Sequence, residues 1–213
     1  AAFVSTMDER IGALLAFLEE EGIRDETLVV FQSDHGHSTE QRAFYGGGSA
    51  GPHRGAKFSL LEGGIRVPAI LAGPGVPEDE VREQMATACD WFPTLCTLAG
   101  IPQPKHELDG EDLSAVLASA EEPTPHRDFF WKNGGQWALR SGKWKLIWNA
   151  NDTSDGRNWQ REPGLRLYNL EADPGERVDL AEENRKQVNR LRKLAQKWDA
   201  EIPFELAPVK KSD

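Results

Sequence analysis

The feature that most restricts the fold is a change of hydrophobic period near residue 27. Val4, Met7, Ile11, Leu14, Leu15 and Leu18 fall at spacings of three and four. That is one apolar stripe on a helix, and Gly22 supplies its stop. Thr27–Phe31 follows as a compact β-branched and apolar run, which predicts a buried strand. It ends on Ser33-Asp34-His35-Gly36. A helix, a short loop and a buried strand make half of a parallel α/β unit. In such sheets ligands collect at the carboxyl ends of strands, which is where Asp34 and His35 stand. An acid and an imidazole followed by glycine can turn toward one ion. An isolated Asp-His-Gly is more often a turn beside an exposed histidine, and the strand end favours the functional reading.

From Gln41 to Leu61 the chain reads as a long glycine-rich loop. It holds Arg42, His53, Arg54 and Lys57 and no Asp or Glu. The whole chain carries 25 Lys and Arg against 35 Asp and Glu, a net charge of −10, so this segment is a local inversion of charge. A loop this long is functional or mobile. Its glycines let backbone amides approach an anion, and Lys57 offers a point charge. The plainer reading is a solvated loop with surface histidines at His37 and His53.

Val67–Ala72 is another short strand. Asp90 can cap a helix running through Phe92, Leu95, Cys96 and Leu98 to Gly100, and a small helix follows near Leu113–Leu117. Past Pro125, Phe129–Trp131, Trp137–Arg140, Trp144–Trp148 and Leu165–Leu170 are short strands. With Asn133-Gly134 and Ser141-Gly142 turns between them, they predict an antiparallel meander. Trp144, Leu146 and Trp148 alternate, so one face is buried. Val188, Leu191, Leu194 and Trp198 predict an amphipathic helix over that face. The boundary is placed near residue 122, giving a region 1–122 and a sheet-plus-helix region 123–213.

Composition narrows the functions. A chain of net −10 repels a phosphate backbone, which argues against nucleic acid as a partner. No run approaches the length of a membrane span. Cys89 and Cys96 on one helix would stand about 10.5 Å apart along its axis, too far for a disulfide, and read as small core residues. Six of the seven Trp follow residue 130; a sugar-stacking surface is conceivable, but sheet core is the plainer role. The first helix reads as already in mid-fold, so the chain is expected to be cut from a longer one, and the newly exposed surface invites association.

Four stretches together resemble the sulfatases of the alkaline-phosphatase superfamily. They are Leu28-Val-Val-Phe-Gln-Ser-Asp-His-Gly36; Arg54-Gly-Ala-Lys57 with Glu62-Gly-Gly-Ile-Arg-Val-Pro68; Asp90-Trp-Phe-Pro-Thr-Leu95 with Leu98-Ala-Gly100; and Leu167-Tyr-Asn-Leu-Glu-Ala-Asp-Pro-Gly-Glu176. The resemblance implies an α/β fold, part of an alkaline-phosphatase-like sandwich, with a C-terminal antiparallel sheet plus helix. It implies a sulfuric ester hydrolase acting on a sulfate ester such as a sulfated glycan, exported by family habit. In that family a formylglycine, made in a Cys/Ser-x-Pro-x-Arg motif, attacks sulfur while a divalent cation, usually calcium, neutralises sulfate oxygens. Carried over, Asp34 corresponds to a metal ligand, His35 to the neighbouring ligand position, and Lys57 to the lysine on the sulfate and leaving oxygen. His37, His53 and Arg54 are candidates for substrate binding.

Two departures stand out. Neither Cys89-Asp90-Trp91 nor Cys96-Thr97-Leu98 begins the nucleophile motif, no Ser supplies it, and the family's early pair of metal-binding Asp residues has no counterpart. The chain therefore reads as the C-terminal portion of a sulfatase, with half a metal site and no activity alone. His35 also replaces the Asn common at its position. Calcium prefers oxygen, whereas imidazole suits zinc or manganese. That keeps a related metal-dependent phosphatase or phosphomutase in view, beside a binding module that lost its nucleophile. The Glu-Gly-Gly-Ile-Arg-Val-Pro and Asp-Pro-Gly-Glu stretches favour the sulfatase.

Overall fold

The computed structural model describes residues 2–201; the expectations for Ala1 and for 202–213 lie outside them. It divides into two compact units, residues 1–34 with 67–127 and residues 35–66 with 128–213. The chain crosses between them three times, after residues 34, 66 and 127. The inclusion of 35–66 in the second unit leaves no trace in composition.

In the first unit the predicted helix is α1 (Ala2–Glu20). Its end is a Schellman turn: Gly22 takes φ +68, Gly22 N–H donates to Glu19 O, and Ile23 N–H donates to Leu18 O. Of the apolar stripe only Leu18 is buried, while Val4, Met7 and Leu14 are exposed. The strand after it is β1 (Val29–Gln32), half-buried throughout rather than buried. The parallel reading is corrected. β1 runs antiparallel to β2 (Ala69–Ala72), Val29 opposite Ala72 and Gln32 opposite Ala69. A parallel partner needs a long crossover, usually helical. The stretch between these strands contains no long helix, only a 3-10 turn at Gln41–Ala43 and the one-turn helix α2 (Glu62–Ile65).

The remaining helices of this unit are α3 (Trp91–Leu98) and α4 (Ser114–Ala118). Asp90 is fully buried and does more than cap. One carboxylate oxygen accepts from Thr87 N–H at 2.6 Å, the other from Glu111 N–H at 2.8 Å, and His126 Nε2 lies 2.8 Å from both. One side chain thus ties three loop segments together. Cys96 is buried, but Cys89 is exposed, which corrects its assignment to the core; both are free thiols. Cys89 sits in the turn before α3, on the solvent side.

The second unit holds the meander: β3 (Asp128–Asn133), β4 (Gln136–Ser141), β5 (Trp144–Asp152) and β6 (Gln160–Asn169), each antiparallel to the next. Gly134 and Gly142 take φ +57 in the two-residue turns, a conformation that favours glycine. Helix α5 (Arg185–Glu201) lays Leu191 and Ala195 against Leu139, Leu146 and Leu167. The opposite face is not solvated, as alternation suggested. Ala138, Ile147, Ala150 and Tyr168 there are covered by Leu60 and Leu61 from the glycine-rich segment. Lys145 and Ile147 are therefore as buried as Leu146.

Burying Lys145 demands counter-charge. Its Nζ lies 2.9 Å from Glu62 Oε1 and 2.9 Å from Glu176 Oε1. Glu62 N–H, at the start of α2, donates to Glu176 Oε2 at 2.6 Å, and Arg140 lies 3.4 Å from Glu62 Oε2. Two carboxylates thus face one ammonium. Burial pushes Glu62 up, but Lys145 first, then Arg140 and Arg66, hold it below the ordinary range. For Glu176 burial prevails: it lies above the ordinary range, relieved by Lys145 and opposed by the charge of Glu62.

Linkage gives the signs. Glu62, lowered on folding, contributes stability above its unfolded pKa that is lost as pH falls through its folded one. Glu176, raised on folding, contributes below its unfolded pKa and loses that contribution as pH rises through its folded value. Urea midpoints from pH 4 to 8 should show Glu176→Gln removing the loss on rising pH while leaving the loss on acidification. Lys145→Met should cost about 3–5 kcal/mol at neutral pH, because two buried carboxylates lose their cation. An unchanged midpoint in Lys145→Met would refute the network.

Candidate functional site

Asp34 is the last residue of the first unit and His35 the first of the second. His35 Nδ1 lies 2.8 Å from the Gly36 carbonyl oxygen, which can only accept. Nδ1 therefore carries the proton, and in the neutral ring Nε2 carries the lone pair. His53 is set the same way, with Nδ1 donating to Pro174 O at 3.0 Å.

Lys57 is fixed at its backbone. Its N–H donates to His37 O at 3.0 Å, and its carbonyl accepts from Thr153 Oγ1 at 3.0 Å. The same Thr153 hydroxyl accepts from Ala56 N–H, and Thr39 Oγ1 donates to Thr153 O. This fully buried threonine thus binds the two ends of the loop. Phe58, next to Lys57, takes φ +72, a costly conformation for an aromatic residue. Gln136 holds it there: its side-chain nitrogen donates to Phe58 O at 2.7 Å and its oxygen accepts from Leu60 N–H.

The charge inversion of the loop is only local in sequence. Lys57 Nζ lies 3.4 Å from Glu40 Oε2, one residue before the acid-free stretch begins. Arg42 donates to both Glu40 oxygens. Arg42 first, then Ser38 and Lys57, hold the Glu40 carboxyl down to about 2, so it stays an anion at working pH. Arg54 donates to both Glu162 oxygens and to the Tyr168 hydroxyl. Burial opposes its charge, but Glu162 more than restores it. His37 packs its ring where Gly48 leaves room for it. The structure thus brings His37, Lys57 and Glu40 together, while Arg54 reaches toward β6.

The glycines also do something other than expected. Gly36 N–H donates to Gly64 O, Gly63 N–H to Arg54 O, and Gly55 N–H to Ser154 Oγ. These amides are spent inside the fold and form no anion cradle. A Cβ on Gly36 would stand 1.9 Å from Gly63 O, and one on Gly64 2.2 Å from Ser59 O. The glycines serve backbone-on-backbone packing, which sets the segment carrying Lys57 against the chain that follows His35.

Known proteins decide the family. The Sulfatase family model matches residues 1–101. Arylsulfatase A of Bos taurus is 33% identical over 93% of this chain and 43% of its own length. The PsFucS1 sulfatase from Pseudoalteromonas sp. superposes with a TM-score of 0.74 at 24% identity, over 91% of this chain and 40% of that one. The structure of BT4656 in complex with its substrate D-glucosamine-2-N,6-O-disulfate gives 0.61 at 23%, over 92% and 39%.

The chain belongs to the sulfatase family. It spans less than half the length of these relatives. The fold is that of the alkaline-phosphatase-like sulfatases, with antiparallel sheet and terminal helix. In this sulfatase-family chain, two of the four motif stretches turn out to be structural. Glu62 of the Glu-Gly-Gly stretch and Glu176 of the Asp-Pro-Gly-Glu stretch meet on Lys145.

Among the described residues no group of three or more His, Cys, Asp or Glu comes together to hold a metal ion. The two candidates carry a carboxylate and an imidazole, donor types that divalent cations accept. Lys145, Thr153 and Gln136 escaped sequence reasoning. Lys145 lies in an alternating strand where a charged residue reads as solvent-facing. Nothing local marks the other two.

Gly36→Ala should lower stability by about 1–3 kcal/mol through overpacking, whereas Gly47→Ala, with open space around it, should not. Urea denaturation of both variants checks this; equal midpoints would refute the packing role of Gly36.

Proposed function

We propose that this chain carries part of the active site of a sulfuric ester hydrolase, with Lys57 contacting the sulfate and its leaving oxygen. The observation that carries the reading is the rigid mounting of Lys57: two backbone bonds, a strained Phe58 held by Gln136, and an ion pair from its ammonium to Glu40. Strain of this kind persists where the surroundings over-determine it, and it gathers at functional sites. A preorganised cation stabilises charge developing on sulfate and leaving-group oxygens without reorganising during the reaction.

Asp34 and His35 would hold a divalent cation, calcium or, given the imidazole, zinc or manganese. Such a cation supplies charge neutralisation to the sulfate oxygens. His37 and His53 stand in the same segment and would meet the substrate, His53 through Nε2. Arg54, matched by Glu162, serves chiefly to fix the loop. No Cys/Ser-x-Pro-x-Arg motif occurs in the 213 residues, so the formylglycine nucleophile must come from outside them, and this chain alone is inactive. The substrate reading is a sulfate ester of the sulfated-saccharide class, supported by the sulfated sugar bound to BT4656.

In the complete protein bearing this sequence, Lys57→Ala should reduce kcat on an aryl sulfate by about 10²-fold or more. Asp34→Ala should lower metal content measured by mass spectrometry. The 213-residue chain alone should hydrolyse neither aryl sulfate nor aryl phosphate. Full activity in Lys57→Ala, or turnover by the isolated chain, would overturn the reading.

A further inference from the structure

On the α5 side of the meander, one row of residues crosses all four strands: Lys132 opposite Trp137, Trp137 opposite Trp148, and Trp148 opposite Leu165. The neighbouring row, Phe130, Leu139, Leu146 and Leu167, is sealed by Leu191 and Ala195 of α5. The Trp row is not sealed. It floors a cavity of about 500 Å³, walled by Arg192, Gln196 and Trp198 of α5. Trp148 remains 38% exposed. Trp137 is half-buried against the neighbouring core, but both indoles line the open space on a sheet face whose next row is sealed, and there they offer a stacking surface.

Two further observations set the chemistry of the occupant. Among the described residues no acid pairs with Arg192 at the rim, whereas Lys132 is already held by Asp199 at 2.5 Å. α5 carries six Lys or Arg, at 185, 186, 190, 192, 193 and 197, against Asp199 and Glu201. A helix of net +4 in a chain of net −10 is a marked local reversal, and here no nearby loop acid cancels Arg192. The indole N–H groups of Trp137 and Trp148 donate to no described residue. Aromatic faces, free N–H donors and a rim guanidinium together suit a ligand with apolar ring faces, hydroxyl acceptors and anionic substituents.

We propose that this cavity is an ancillary binding site for a sulfated saccharide, with sugar rings on Trp137 and Trp148 and a sulfate on Arg192. It lies on the sheet face opposite the one covered by the Lys57 segment, so it is separate from the candidate active site. The choice of a sulfated sugar rests on the proposed sulfatase reading. The site would hold a sulfated polymer beside the enzyme, raising the local concentration of cleavable ester.

Tryptophan fluorescence and calorimetry with a heparin-derived octasaccharide, using the full 213-residue chain, test it. Wild type should bind the octasaccharide and bind its desulfated form at least 10-fold more weakly. Trp148→Ala and Arg192→Ala should each weaken binding at least 10-fold with unchanged urea midpoints. Lys193→Ala, on the same helix but outside the cavity, should change it less than 2-fold. Lys57→Ala should leave it intact, which separates failure here from failure of the catalytic reading. No binding, or equal weakening by Arg192→Ala and Lys193→Ala with Trp148→Ala silent, would overturn the proposal; the latter pattern is mere polyelectrolyte attraction.

Discussion

A lysine with no exposure to water governs the second unit. Lys145 is placed on the inner face of β5 by strand alternation, and it can stay charged there only if carboxylates are brought to it. They arrive from distant points of the chain, Glu62 at the start of α2 and Glu176 in the turn after β6. Satisfying one ammonium therefore fixes where the glycine-rich segment ends and where the chain leaves the sheet. The excess carboxylate is tolerated through Arg140 and through the raised pKa of Glu176. The backbone N–H of Glu62, donating to Glu176 Oε2, makes the junction one unit rather than two separate ion pairs.

That junction also explains how the loop bearing Lys57 becomes rigid. Its far end is pinned at Glu62, its middle at Thr153 and Gln136, and its start by Gly36 lying against Gly63 and Gly64. A segment that composition marks as mobile is thereby held at three places. Conformational cost at the Lys57 backbone is thus met by packing within the fold. The same covering function gives the sheet two different faces: one sealed by this segment, the other only partly roofed by α5.

Much of the architecture was legible from periodicity. The helix before Gly22, all four meander strands and α5 follow from spacing and turn residues, because each is set by local chemistry. The pairing of β1 was not, since strand direction depends on the route between strands, and Asp34 looks the same at the end of either kind. Lys145 was read past because alternation predicts a solvent face wherever no second layer is foreseen. That layer, Leu60 and Leu61, comes from a segment that reads as loop. At the site, Asp34, His35 and Lys57 stand out by motif, whereas Glu40 lies just before the acid-free stretch, and Thr153 and Gln136 become visible only when residues 76 to 114 positions apart are brought together. Gly36, Gly55 and Gly63 spend their amides inside the fold, and the missing side chains of these and of Gly64 are what the packing uses, whereas Gly47 and Gly51 have open space around them.

The central claim is that Glu62, Lys145 and Glu176 act as one buried unit. A double-mutant cycle on Glu62→Gln and Lys145→Met, read by urea denaturation, tests it most directly. Coupled groups should make the double variant less destabilised than the sum of the single ones by at least about 1 kcal/mol. Strict additivity would mean that the two side chains do not share an interaction, and the account of how this chain builds its site would fall with it.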